Sequence, residues 1–292
     1  MELRERRFAK WLVLEPSCGL GNRLRFLLSG LRLAEYLHLV PVISWTFDEH
    51  HLACPFEELF ASNVQVLPIR ETLLADPVRV LHYIPEVRTA KIVAFVNQVG
   101  TVSRSDLKDA DVLVIQGANL VKSCEDSGTD EVLPLLKALF GTVLAPSKAI
   151  ADKVEEFSRR FDLTHMCGVH VRRGDISECS PRYVRLESFY LTVDQLHTGT
   201  PLLLCTQSDE VAQAFSTRYA GRVFRLPVRS NGRIGAMAAQ DALIELLLLS
   251  RCREIIAGVS SFSFVAHVLG GNGLMTVTDQ CPIAAPSRDG TA

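Results

Sequence analysis

The stretch Cys167-Gly168-Val169-His170-Val171-Arg172-Arg173-Gly174-Asp175 decides how this chain is read. A largely apolar run of strand length ends in two adjacent arginines, a glycine and an aspartate. Guanidinium groups at the end of a buried strand are costly unless each meets an anion. A diphosphate would satisfy them through bidentate, charge-assisted hydrogen bonds. Gly174 permits a sharp exit from the strand, and Asp175 can pair with one guanidinium or act on an acceptor hydroxyl. The same residues also fit a structural Arg–Asp clamp with His170 satisfied in the core.

Working outward, short apolar runs alternate with longer segments of helical period. In the second half the spacing predicts a helix over Glu187–His197, a strand over Pro201–Cys205 and a helix over Ser208–Tyr219. A short strand at Arg222–Arg225, a leucine-rich helix at Ala236–Ser250 and a strand at Glu254–Ala257 follow. A helix near Phe262–Leu269 and a last strand at Leu274–Val277 complete it. The first half reads in the same style, from a strand at Trp11–Leu14 through a helix over Asn22–His38 to a helix over Ser147–Phe161. In that first long helix Leu24, Leu27, Leu28 and Leu31 recur on one face. Such alternation belongs to α/β proteins with parallel sheets, which gather ligands at the carboxyl ends of their strands. A length of 292 residues suits two domains of roughly 100–200 residues each. The break is placed near Ala145–Ser147, giving units 1–146 and 147–292.

Composition narrows the partners. The chain carries 31 basic and 33 acidic residues for a net charge of −2, so no broad field favours nucleic acid or an anionic membrane. Any anion must be held by a local cluster. No run reaches the ~18 uncharged apolar residues of a spanning helix, and the charged start MELRERRFAK is unlike a signal peptide. The eight cysteines show neither a disulfide framework nor zinc-ligand spacing. Free thiols in a reducing, cytoplasmic compartment are expected, with no metal site; the alternative is a secretory-pathway protein whose leader or anchor is not part of this sequence.

Four further segments could carry chemistry. Gly19-Leu20-Gly21-Asn22-Arg23 links a strand to a helix, where glycines let a ligand approach helix N–H groups. Arg23 adds a fork for phosphate or sugar hydroxyls; the alternative is a tight turn with Arg23 solvated. Ser208 and Asp209, after the Pro201–Cys205 strand, could bond a base or ribose, but fit an ordinary helix cap better. Ser260-Ser261-Phe262-Ser263 opens a helix and could cradle phosphate, or simply cap it. Glu245 sits among leucines and needs a partner, such as a guanine or an arginine, unless its helix face is solvated.

Three of these segments, in this order, give the chain a family likeness. Gly19-Leu20-Gly21-Asn22-Arg23-Leu24, His170–Asp175 and Ser260–Ser263 together resemble the superfamily of α1,2-, α1,6- and protein O-fucosyltransferases. Leu248–Cys252 ahead of Ile255–Ala257, and Cys54–Phe60, add to the likeness. The resemblance implies a GT-B fold, two Rossmann-like domains facing a central cleft. It also implies a GDP-fucose donor held mainly by the C-terminal domain, 147–292, a glycan or glycoside acceptor on the side of the N-terminal domain, 1–146, and inversion at the anomeric carbon without metal or cofactor. By position, Arg172 would grip the β-phosphate, with Arg173, Asp175 and His170 supporting the donor site. Ser260, Ser261 and Phe262 would hold phosphate, and Glu245 would stand near the guanine where the family usually has Asp. Gly21, Asn22 and Arg23 would complete the site from the opposite domain. Asp175 and Glu178 are the nearest carboxylates that could act as base. The alternatives are a GT-B transferase for another nucleotide sugar and a non-catalytic nucleotide- or glycan-binding relative.

Overall fold

A computed structural model describes residues 9–47, 52–69, 71–73, 76–84, 87–95, 98–124, 133–173, 176, 179–180, 182–227 and 235–279. The first half runs β1 (Trp11–Pro16), α1 (Leu20–Tyr36), β2 (Val40–Ser44), α2 (Phe56–Leu59), β3 (Phe60–Ser62), β4 (Gln65–Leu67), β5 (Ala90–Phe95), β6 (Gly100–Val102), β7 (Val112–Gly117) and β8 (Val121–Ser123). Next come α3 (Leu133–Thr142), β9 (Leu144–Pro146) and α4 (Lys148–Arg160). The second half contains β10 (Cys167–Val171), α5 (Leu186–Leu196), β11 (Leu202–Thr206), α6 (Asp209–Arg218) and β12 (Val223–Phe224). It ends with α7 (Ala236–Arg251), β13 (Glu254–Ala257), α8 (Ser261–Gly270) and β14 (Gly273–Thr276).

Two five-stranded sheets organise these elements, in the orders β4-β2-β1-β7-β5 and β12-β11-β10-β13-β14. Every pairing within them is parallel. The second sheet has the doubly wound order, in which strand succession reverses between β10 and β13. In open parallel sheets of this kind, ligands bind in the crevice at such a switch point.

The strands are apolar on both faces because both faces are covered. Leu12 and Leu14 of β1 enter one core, while Val13 enters another on the opposite side of the sheet. In β13, Ile255 and Ala257 join the first core and Ile256 a third. That two-residue alternation with no polar face is what a buried parallel sheet demands. Leu24, Leu27, Leu28 and Leu31 of α1 are buried as their spacing predicts, each contributing about 1.5–3 kcal/mol. The first core is continuous through both halves, uniting α1 residues with Leu243, Leu246 and Val265 of α7 and α8.

Local departures have local causes. Helix α1 begins at Leu20, two residues ahead of the predicted Asn22, so Gly21 and Asn22 lie in its first turn. Strands β3, β6, β8 and β9 span three residues each, too few to show a periodicity. The chain around the predicted break is tied to the first half. There β3 pairs antiparallel with β9, and Ser147 donates through its backbone N–H to Leu59 O at 2.8 Å. Among the described residues no helix is long and apolar enough to cross a membrane.

Candidate functional site

A cavity of about 390 Å³ lies at the carboxyl ends of β10 and β11 and the N-terminus of α8. Its wall combines Cys18–Asn22 from the β1–α1 turn, His170–Arg173, Arg182, Cys205–Gln207 and Ser260–Phe262. Leu52, Ala238, Ala239, Ala242 and Glu245 complete it. Three arginines thus face one hollow, and Glu245 is the only acid among its described lining residues. A surplus of positive charge inside a concave wall concentrates anions.

The strand end is braced from within. Arg173 donates from Nη1 to Arg172 O at 3.0 Å and from Nη2 to Val184 O at 2.8 Å. Its guanidinium also lies 4.3 Å from the Tyr183 ring centroid. Arg173 therefore ties the strand exit to the segment leading into α5. The His170 ring stacks on Phe262 with centroids 4.8 Å apart, linking β10 to the start of α8. At that start Ser260 accepts from the Phe262 N–H at 3.2 Å. The serine thus caps the helix and lines the cavity at once.

The opposite wall depends on a close backbone approach. A Cβ added to Gly21 would stand 2.6 Å from Phe262 N and 2.8 Å from Ser261 C, so only glycine lets α1 and α8 meet here. Gly21→Ala is expected to push the two helix starts apart at a cost of about 1–3 kcal/mol. Thermal unfolding with and without a nucleoside diphosphate should show a lower Tm and a smaller ligand-induced rise. An unchanged Tm would show that the helices separate freely.

Asn22 is oriented by a residue the sequence reading passed over. Arg25, one turn along α1, donates from Nη2 to Asn22 Oδ1 at 3.1 Å and to Ala118 O at 2.9 Å. With the amide oxygen engaged, the Asn22 Nδ2 group is left to donate to a ligand oxygen. Burial, and then the nearby positive charge of Arg182, hold the Arg25 guanidinium below its ordinary pKa. Cations from both halves of the chain therefore press on one another beside the cavity.

Arg23 occupies a different place from the one expected. It is fully buried and does not line the cavity, nor is it solvated. Its Nε donates to Cys18 O and its Nη1 to Thr46 O, both at 2.8 Å, and Trp45 lies beneath it with a centroid distance of 4.8 Å. Cys18 has a left-handed backbone with φ 65°, a conformation costing an L side chain roughly 1–2 kcal/mol. Arg23 pins that turn. Ser208 and Asp209 also lie outside the lining: Ser208 caps α6 by accepting from Val211 N at 3.2 Å. Thr206 and Gln207 stand at the cavity instead.

Glu245 closes the floor. Ala238, Ala242 and Glu245 recur at i, i+4 and i+7 on α7, a face whose small residues leave room above the carboxylate. Burial pushes its carboxyl up to about 8, against the pull of Arg225 and with a further push from Asp241. Arg225 donates from Nη2 to Thr206 O at 3.2 Å, while its buried Nε makes no hydrogen bond among the described residues. Asp175 and Glu178, together with Gly174, lie outside the described residues. Among the described residues no group of three or more His, Cys, Asp or Glu could hold a metal ion. The seven cysteines described are all free thiols.

Of the residues singled out in sequence, the fold gathers Gly21, Asn22, His170, Arg172, Arg173, Glu245, Ser260, Ser261 and Phe262 around one hollow. Arg182 and Leu52 carried no local signal. The helical stripe of Ala238, Ala242 and Glu245 could have revealed the floor.

No protein-family model and no curated protein sequence matches the chain. Solved structures do. A mutant of Arabidopsis thaliana FUT1 in complex with GDP is 15% identical, with a TM-score of 0.62 over 93% of this chain and 72% of that one. NodZ α-1,6-fucosyltransferase soaked with GDP-fucose is 18% identical, with a TM-score of 0.55 over 89% and 92%; NodZ has been crystallised from Bradyrhizobium. POFUT1 in complex with GDP-fucose is 14% identical, with a TM-score of 0.54 over 91% and 96%. The chain has the parallel-sheet α/β fold of these fucosyltransferase structures.

Proposed function

We propose that the chain is an inverting, metal-independent glycosyltransferase that moves fucose from GDP-fucose to a glycan or glycoside acceptor. The observation that carries this reading is the cavity at the β10–β11 strand ends. There Arg172, Arg173 and Arg182 meet the N-terminus of α8, with a single acid in the described lining. Such a wall suits a diphosphate. The GDP and GDP-fucose complexes among similar structures favour guanine over other bases.

In this reading the units 1–146 and 147–292 face each other across a cleft, and the second holds the donor. Arg172 grips the β-phosphate and stabilises the charge that builds on departing GDP, the assistance a metal-free transfer requires. Arg173 holds the strand exit in place, and the Asn22 amide donates from the other wall. Ser260, Ser261 and the α8 N–H groups take the remaining phosphate oxygens, while Glu245 reads the base. An acceptor oxygen bonds to the anomeric carbon as that carbon's bond to the phosphate oxygen breaks. The hydroxyl proton passes to Asp175 or Glu178. Free thiols fit a cytoplasmic setting.

Thermal unfolding with GDP, UDP and ADP tests the donor. GDP at 100 times its Kd should add about 2.7 kcal/mol of stability, with smaller effects from UDP and ADP. Transfer should persist in EDTA. Stabilisation by UDP but not GDP would reject the guanine donor.

A further inference from the structure

Arg182 lines the donor cavity beside Arg172 and Arg173, yet the transfer as written leaves it without a part. It stands on the strap between β10 and α5, and the strap is fixed on both sides of it. Ser180 O accepts from Tyr183 N at 2.9 Å, and Ser180 Oγ accepts from Arg182 N at 3.2 Å. On the other side, the Tyr183 ring and the Val184 carbonyl hold the Arg173 guanidinium. The strap is therefore pinned by backbone bonds and by the neighbours of Arg182, not by its side chain.

That side chain is exposed and makes no hydrogen bond, ion pair or ring contact among the described residues. Simple solvation would account for this if the surroundings were neutral or acidic. They are basic. Arg172 and Arg173 share its wall, and its charge helps to hold the Arg25 guanidinium, beside the opposite wall, below its ordinary pKa. Glu245, the only acid in the described lining, offsets none of this near neutrality, because burial keeps its proton on up to about pH 8. Like charges gathered in one concave wall repel one another and attract anions. A guanidinium on a flexible stem gains from such a place only when an anion occupies it.

We propose that Arg182 makes the cavity count phosphoryl groups, supplying the guanidinium that a diphosphate needs and a monophosphate does not. One phosphoryl group is met by the N-terminus of α8 with Ser260 and Ser261. A second adds charge and acceptor oxygens, for which Arg172 and Arg182 offer a pair of forks. Because the strap is already fixed, little further ordering is lost when Arg182 engages the ligand. Binding also replaces repulsion between Arg182 and Arg25 with attraction to a shared anion. This inference rests on the reading of the cavity as the donor site, and names the residue that tells one nucleotide from another there.

Titrations of GDP, GMP, inorganic pyrophosphate and inorganic phosphate against the wild type and Arg182→Gln test it. The wild type should prefer GDP to GMP and pyrophosphate to phosphate. In Arg182→Gln, GDP and pyrophosphate should weaken by about tenfold or more, as when a hydrogen bond to a charged group is lost. GMP and phosphate should bind as they do to the wild type. Without ligand, the variant should unfold at the wild-type temperature or above it, since a repelling charge has gone. A variant that keeps the full preference for GDP over GMP would overturn the inference and leave the donor reading standing. So would equal weakening of GDP and GMP, or a lower Tm of the unliganded variant, which would make Arg182 a structural support. A wild type that binds pyrophosphate but not GDP would defeat the guanine donor, and the pyrophosphate titrations would still decide the role of Arg182. A wild type that binds neither would overturn both.

Discussion

Arg172→Ala is expected to lower the turnover of GDP-fucose by about 10²–10³-fold, the usual effect of removing one preorganised donor from a developing anion. The expectation follows from where the residue stands. It leaves the end of β10 at the point where strand order reverses, and it lines both the donor cavity and the cleft beside it. Arg173, its neighbour, spends its donors on Arg172 O and Val184 O, so the two arginines are not interchangeable. Loss of Arg173 loosens the strand exit and should show in the Tm as well as in the rate. Loss of Arg172 should show mainly in kcat. GDP release and acceptor labelling, followed in EDTA with each variant, separate the two. Full turnover in Arg172→Ala would remove that residue from the chemistry.

The second large effect concerns Glu245 and pH. Burial holds its carboxyl at about 8, so near neutrality it carries a proton. Guanine presents N–H donors along its pairing edge, and an ionised carboxylate accepts these more strongly than a protonated carboxyl does. Binding of GDP should therefore release a proton. Its affinity should climb from pH 6 to 8, at most about tenfold per pH unit, and level off above. Glu245→Gln should bind GDP more weakly above pH 8, by about 1.5–3 kcal/mol for a lost hydrogen bond to a charged group, and without that slope. Calorimetry in buffers of differing protonation enthalpy reads both effects. An affinity that is flat or falling over this range would exclude Glu245 as the reader of the base.

The same carboxyl affects the unliganded chain in the opposite sense. Its folded value lies above the ordinary 4.5, so between those two pH values the folded chain binds more protons than the unfolded one. Stability contributed by the protonated group is complete below about 4.5 and is lost as pH rises toward 8. Ligand affinity and unliganded stability therefore move in opposite directions over part of one pH range.

Most of the fold was legible because its signals are local. Leu24, Leu27, Leu28 and Leu31 mark a helix by their spacing, and Cys167–Val171 and Glu254–Ala257 mark strands that the structure reproduces to the residue. The motifs at Gly19–Arg23, His170–Asp175 and Ser260–Ser263 were equally local, and pointed to one fold and one class of ligand. The rest depended on which distant segments meet. Arg23 looked like a ligand fork, but the turn at Cys18 and the carbonyl of Thr46 enclose it. Arg25 carried no signal in the sequence, but a hydrogen bond to the distant Ala118 carbonyl fixes it as the brace of Asn22. Arg182 had no motif at all, and only the fold sets it in the cavity wall. By itself the sequence determined the parallel α/β elements and the arginine-tipped strand, because periodicity and backbone chemistry act over a few residues. Only the tertiary structure decided which arginines face the cavity and which brace it, because burial and charge compensation depend on neighbours far away along the chain.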